Sequence, residues 1–302
     1  MDRATLLLQL REAISIKDAD IDLAETALLL AALDDPTVDL IPYRQHLDLL
    51  ASDIGAMTRP GSGLMDCIDT LRVAVYTTHG YSGDRRSYDD IQNANLIRVI
   101  DRRCGIPVSL GIICIHAWRV QGWAAAGIHS PAHFLIQVSI TGELAILDPF
   151  HRAPLLDEST LHERFTAVQE DSTENSMNGV VPVSNREILL RLQNNIRIRA
   201  RQRGDTALAL RTTESMLVLA KDAPVFRLEI AALKAKAGEI KAALNDIETL
   251  LERHGAEELR EQAELLQATL KGRLNSRCQV FWRVIHRVRP TPSGKVSFVV
   301  SR

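Results

Sequence analysis

The sequence predicts a helix-rich α+β fold whose C-terminal part is all-α, and three observations carry that prediction. Apolar residues recur at helical spacing through most of the first 120 or so positions. The period then changes from 3.6 to 2 between His133 and Leu147. Beyond Ser184 a pattern of small residues recurs at an offset of 34, within segments that all read as helical.

The helices follow in order. Ala24 to Leu33 (AETALLLAAL) is a strong helix former, stopped by Asp34-Asp35-Pro36. Tyr43 to Leu50 resumes the periodicity, and Pro60-Gly61-Ser62-Gly63 breaks it. Met65 to Thr77 is a third amphipathic segment, and Gly80-Tyr81-Ser82-Gly83-Asp84 is a loop. One helix is expected from Ile91 to Asp101. After the Gly105-Ile106-Pro107 interruption, an apolar helix runs from Val108 to Gln121 and stops at Gly122.

His133 to Ile140 and Leu144 to Leu147 are apolar, β-branched runs around Thr141-Gly142, the pattern of a β-hairpin. With the turn centred between Thr141 and Gly142, paired residue numbers sum to 283. His133 then faces Phe150 and Leu135 faces Asp148. His133 and Asp148 become diagonal neighbours on one face of the sheet, about 7–8 Å apart. A slip of one residue would place them on opposite faces.

Residues 155–178 read as an irregular, polar covering segment. In the helical region that follows, Gly204-Asp205 with Ala209-Leu210 recurs as Gly238-Glu239 with Ala243-Leu244. A 34-residue offset is the period of tetratricopeptide helices, whose small residues let paired helices pack closely. The expected domains are therefore 1–180, a helical part plus a helix and hairpin core; 181–275, tetratricopeptide-like helices; and 276–302, a loosely ordered basic tail. That tail holds Arg277, Arg283, Arg287, Arg289, Lys295 and Arg302 with Phe281 and Trp282.

Composition narrows the function classes. A formal charge of −2 with 25% charged residues gives no electrostatic basis for binding nucleic acid or an anionic membrane. No uncharged apolar run reaches the roughly 18 residues of a membrane helix. The four cysteines (Cys67, Cys104, Cys114, Cys278) form no Cys-x-x-Cys pair, which argues against a zinc ribbon or disulfide scaffold and suits a reducing cytoplasm. Neither a cofactor nor a metal is expected.

Acyl chemistry needs a nucleophile, a base and a group that orients the base. Ser109 lies near the start of the Val108 helix, where free N–H groups and the helix dipole favour an oxyanion. His133 on a strand would be the base, and Asp148 after the next strand would hold its tautomer.

Gly80-Tyr81-Ser82-Gly83-Asp84, Asn93-Ala94-Asn95-Leu96, Arg103-Cys104-Gly105-Ile106-Pro107-Val108-Ser109-Leu110, Pro131-Ala132-His133-Phe134-Leu135 and Asp148-Pro149-Phe150 together resemble a bacterial family. It is the transglutaminase-like domain of the SirB type, usually fused to tetratricopeptide helices, and the likeness runs from about residue 20 to about 275. The resemblance implies a papain/transglutaminase-like fold whose active members use Cys, His and Asp. His133 and Asp148 match the last two. The expected cysteine is missing: the helix start reads Gly-Ile-Pro-Val-Ser-Leu, and Ser109 is the nearest nucleophilic side chain. Counting back from Gly122 without a gap puts Pro107 there instead.

Each of these residues also has a plain structural role open to it. Ser109 suits a helix cap or first turn, and Cys114 a core position. Cys104 is a second thiol near the same cleft. His129 and His151 flank the pair, which leaves a His/His/Asp metal set open, though the ligand spacing is loose and no metal signature is present. Asn93 and Asn95 read as caps or loop hydrogen-bonders, and Arg85-Arg86 and Arg102-Arg103 as solvated charge. A serine hydroxyl, unlike a thiol, ionises only with a well-aligned base. The sequence therefore favours an interaction or regulatory module that holds a protein or peptide partner. The alternative is an amide hydrolase or acyl-transferase using Ser109, His133 and Asp148.

Overall fold

The structure, a computed structural model, describes residues 2–129, 134–157, 182–252, 257–275, 288–290 and 296–298. It is a helix-rich α+β protein of two compact units, Met1–Leu192 and Gln193–Arg302. Among the described residues, no helix is long and apolar enough to cross a membrane.

The first unit opens with α1 (Arg3–Ala13), α2 (Leu23–Ala32), α3 (Ile41–Met57) and α4 (Leu64–Arg72). Every residue of α2 but Glu25 is buried, as expected of a helix apolar all round. Asp22 caps it, accepting from the Glu25 amide at 3.0 Å. α4 runs on into a π-helical turn, Val73–Thr78.

The single helix expected over Ile91–Asp101 is two elements, a 3₁₀ turn (Ile91–Ala94) and α5 (Leu96–Arg102). Asn95 separates them because it is in an extended conformation and caps α5, accepting from the Arg98 amide at 3.1 Å. Its amide also reaches back to the Ala31 carbonyl and Asp34. A helix-period reading passes over such a cap, since the apolar spacing continues across it.

α6 (Pro107–Arg119) is the central helix, with only His116 and Arg119 outside the buried set. It packs on α3 and on a four-stranded sheet of order β5-β4-β3-β6. The strands are β3 (Ala124–His129), β4 (Phe134–Ile140), β5 (Glu143–Leu147) and β6 (Pro182–Val183). Two further residue pairs, β1 (Ser82–Gly83) and β2 (Cys104–Gly105), join in parallel just before α6.

The β4–β5 register is the one the turn residues predict. Ile136 pairs with Leu147 and Ile140 with Glu143, so partner numbers sum to 283. Thr141 and Gly142 take φ of 48° and 90°, as a two-residue primed turn requires. β3 escapes the sequence reading because Ala-Ala-Ala-Gly carries no alternation; its strand identity comes from pairing β4 on one edge and β6 on the other.

Glycines let α6 approach the sheet. A Cβ on Gly111 would strike the Phe134 ring, and one on Gly127 would meet the same ring at 2.6 Å. The Phe134 ring therefore fills space that two hydrogen atoms leave open, and it is 1% exposed.

α7 (Asn185–Gln202) begins in the first unit, where Asp18 accepts from the Asn185 and Arg186 amides at 2.7 and 3.0 Å. It ends in the second unit, followed by α8 (Thr206–Leu219), α9 (Pro224–Lys236), α10 (Ile240–Leu251) and α11 (Glu257–Asn275). The 34-residue repeat is visible in the backbone. The Asp205 amide donates to the Ala200 carbonyl and the Glu239 amide to the Lys234 carbonyl, each at 2.9 Å. The glycines before them, Gly204 and Gly238, both have positive φ, which a left-handed helix end needs. Ala209 and Ala243, one turn into the next helix of each copy, are fully buried. α9 packs against both α8 and α10, and α11 against α10. A partly buried ion triad joins α7 to α9: Glu229 takes Arg197, and Arg201 at 2.9 Å. In the tail, β7 (Val288–Pro290) pairs antiparallel with β8 (Val296–Phe298).

Candidate functional site

α6 starts with Pro107 at its first position, so the missing amide costs nothing there. Ser109 follows on the inward face and is fully buried. Its oxygen accepts from the Ile106 amide at 3.1 Å. Its proton has two carbonyl acceptors, Asn93 at 2.8 Å and Ile106 at 3.0 Å. The hydroxyl thus ties the start of α6 to the 3₁₀ turn before α5. Gly105 must lack a side chain for this, since a Cβ there would stand 2.5 Å from Ser109 Oγ. A hydroxyl so engaged would have to break buried hydrogen bonds before it could attack anything, each break leaving an unsatisfied buried group.

Asp148 follows β5 and is likewise fully buried. One carboxylate oxygen accepts from the Phe150 amide at 3.0 Å and the His151 amide at 3.4 Å. The other lies 2.8 Å from His151 Nδ1. Pro149–His151 is a 3₁₀ turn that Asp148 caps, and this turn brings the imidazole back over the carboxylate. His151, considered from sequence only as a flank of the pair, is therefore an imidazole that Asp148 holds. Its side chain is 35% exposed. The Asp-Pro-x-His spacing was the available signal, because a proline-led turn places residues i and i+3 side by side. His133 lies outside the described residues, so its approach to Asp148 and Ser109 is not part of this geometry.

Around the turn, Phe150 stacks edge-on against Tyr88, with ring centres 5.7 Å apart, and against His151 at 5.2 Å. β1 presses on the same turn: a Cβ on Gly83 would sit 2.6 Å from the Phe150 carbonyl. From beneath, the Tyr76 hydroxyl donates to the Pro149 carbonyl at 2.8 Å and lies 3.4 Å from Cys114 Sγ. Burial pushes the Cys114 thiol up to about 12, so it supplies no thiolate at neutral pH. Cys104 is half-buried on β2, with the Ser82 hydroxyl 3.7 Å from its sulfur. Among the described residues, no three His, Cys, Asp or Glu side chains converge to hold a metal.

The motifs that frame the site are held by a buried polar network. Asp84, 4% exposed, accepts from the Arg86 and Ser87 amides at 3.0 and 2.8 Å and from the Ser87 hydroxyl at 2.7 Å. Arg102 donates to Asp84 at 3.0 Å and to Asn93 Oδ1 at 2.9 Å. Asn93 in turn donates to the Ser87 carbonyl at 2.7 Å. Burial pushes the Asp84 carboxyl up, but the Ser87, Asn93 and Arg102 hydrogen bonds outweigh it and hold it well below the usual carboxylate range. Arg102 is thus a structural cation, not the solvated charge its Arg102-Arg103 pairing suggests.

The transglutaminase-like superfamily matches residues 41–194, just over half of the chain, from α3 into α7. A UPF0162 protein of Xylella fastidiosa is 26% identical over 253 residues, covering 79% of this chain and 86% of the relative. A UPF0162 protein of Vibrio cholerae is 42% identical over 77 residues, 25% of this chain and 28% of the relative. The mouse F-box only protein 21 is 29% identical over 83 residues, 28% of this chain and 13% of that protein. With the helix, the hairpin and the Asp148 turn in place, this chain belongs to the transglutaminase-like superfamily.

Proposed function

We propose that this chain is a SirB-type transglutaminase-like protein that has kept the fold as a binding and regulatory module, with its tetratricopeptide-like helices, for a protein or peptide partner. The observation that carries the reading is Ser109. The only nucleophilic side chain in the first turn of α6 is fully buried and hydrogen-bonded to main-chain groups. The matched turns of the two helical copies support the second half of the reading, since stacked helix pairs of that period build grooves for extended or helical segments. The reduced thiols Cys67, Cys104 and Cys114 suit work in the cytoplasm.

One observation favours the alternative, an amide hydrolase or acyl-transferase built on Ser109, His133 and Asp148. Buried Asp148 engages an imidazole at Nδ1, as the orienting half of such a site would, but that imidazole is His151, so His133 would have to share the carboxylate with it.

A displayed peptide library separates the two. The expected result is a set of peptides bound at about micromolar affinity, recovered with unchanged mass, and bound equally by Ser109→Ala. Peptides recovered cleaved, deamidated or cross-linked by the wild type but intact from His133→Ala would overturn the reading, as would a library that yields no binder.

A further inference from the structure

A second polar cluster is built by α3, the π-helical turn after α4, the loop at Tyr81 and the end of α5. Arg103 closes α5 in the left-handed conformation, with φ of 54°. Glycine is the ordinary residue at such a helix end, so an arginine held there suggests that its side chain has a use. Its guanidinium lies over the Tyr81 ring, 5.1 Å from the centroid. Nη1 donates to the Tyr81 hydroxyl at 2.8 Å, and that hydroxyl lies 2.8 Å from His46 Nε2. Nη1 and Nη2 both also contact the His46 ring.

These contacts use the Nη1/Nη2 end of the guanidinium. The Nε–H and the second Nη2 hydrogen, which form its side edge, have no partner among the described residues. Among the described residues no carboxylate forms an ion pair with Arg103 either. Asp53 engages His79 at 2.8 Å. Asp101 engages the Tyr43 hydroxyl at 3.1 Å and Arg98 at 3.8 Å. Burial, the Arg103 charge and His79 push the His46 imidazole down to about 4, so it stays neutral and accepts. Burial chiefly pushes the Tyr81 hydroxyl up to about 12, so it stays protonated. One half-buried cation thus presents a free two-donor edge, backed by an aromatic ring and edged by two imidazoles whose centroids are 5.2 Å apart.

We propose that the Nε/Nη2 edge of Arg103, framed by Tyr81, His46 and His79, is a binding site for a carboxylate. A planar fork with a single positive charge matches a planar monoanion, which it grips with two parallel hydrogen bonds. A doubly charged phosphate would leave an excess negative charge on the one cation. The carboxylate belongs to a small acid or to an acidic side chain of a peptide. This site does not depend on the reading of the α6 cleft.

The test is titration of the full chain with acetate, N-acetylglutamate amide and inorganic phosphate at constant ionic strength, with chloride as control. The Arg103 Nε–H and the His46 and His79 ring C–H resonances report binding. Acetate is expected to give saturable shifts with Kd on the order of 1–10 mM, and tighter saturation by the glutamyl compound would identify a peptide side chain as the source. Arg103→Asn, which tolerates the left-handed backbone, should abolish saturation. Arg103→Lys keeps the charge without the fork and should weaken it about fivefold or more; it also serves if the asparagine variant does not fold. No saturation beyond the chloride control, saturation unchanged in a folded Arg103 variant, or phosphate saturating at lower concentration than acetate would each overturn the proposal.

Discussion

Replacing Asp84 with alanine is expected to destabilise the first unit by about 3–5 kcal/mol, the range for removing one partner of a buried charge pair. The carboxylate satisfies two amides, the Ser87 hydroxyl and the Arg102 guanidinium at once. Its loss leaves the amides without acceptors and Arg102 without its counter-charge. Arg102 is 30% exposed, so water recovers part of that deficit, which places the expected loss toward the lower end. In urea the midpoint should fall with little change in slope. Adding Arg102→Met to Asp84→Ala should recover part of the loss, because it removes the stranded charge.

The pH dependence follows from the same network. The folded-state carboxyl titrates below its unfolded value of about 3.9. Its contribution is therefore complete above that value and is lost as the pH falls toward the folded-state titration. The wild type should lose stability below about pH 4 more steeply than Asp84→Asn, which has no such carboxylate. A loss below about 1 kcal/mol for Asp84→Ala would show that the network contributes little.

The second large effect concerns the seat of Phe134. Phe134→Ala is expected to cost about 3–5 kcal/mol, as for other buried aromatics, because the ring fills the space between Gly111 of α6 and Gly127 of β3. Arg191 lies over the same ring, its guanidinium carbon 5.7 Å from the centroid. Gly111→Ala decides between two opposed effects. Helix propensity would favour alanine by about 1 kcal/mol, while overpacking costs about 1–3 kcal/mol. With the new methyl driven into a fully buried ring, overpacking wins and the variant should be the less stable. Combined with Phe134→Leu, which withdraws the ring edge, Gly111→Ala should cost less than the sum of the two changes, with a coupling of about 1 kcal/mol. A stabilised Gly111→Ala would contradict the close approach of α6 to the sheet.

What the sequence reveals here is set by which features are local. The β4–β5 register can be read from Thr141-Gly142 because a two-residue turn fixes every pair beyond it. The central helix is legible because its apolar run ends at Gly122, whose φ is 79°. The 34-residue spacing is legible because both copies need a glycine at the same helix end. β3 is not, since three alanines and a glycine take their conformation from the strands on either side. Nor are the roles of Arg102 and Arg103 legible, because adjacent arginines look alike until α5 ends between them. One then turns inward to Asp84, and the other lies over Tyr81.

The site divides along the same line. A serine three residues into a helix is equally consistent with a nucleophile and with a capping hydroxyl. Only the fold shows that the Asn93 carbonyl is 2.8 Å away. Asp148 could be placed after β5 from register alone. That it meets His151 depends on the 3₁₀ turn at Pro149, which register does not describe.

Whether the first turn of α6 holds a working nucleophile is decided by mapping covalent adducts after treatment with a fluorophosphonate and, separately, iodoacetamide. Peptide mass spectrometry would compare the wild type with Ser109→Ala and His133→Ala. No fluorophosphonate adduct is expected on Ser109, and iodoacetamide adducts at cysteines should be unchanged by His133→Ala. An adduct on Ser109, or any adduct that His133→Ala abolishes, would contradict this expectation.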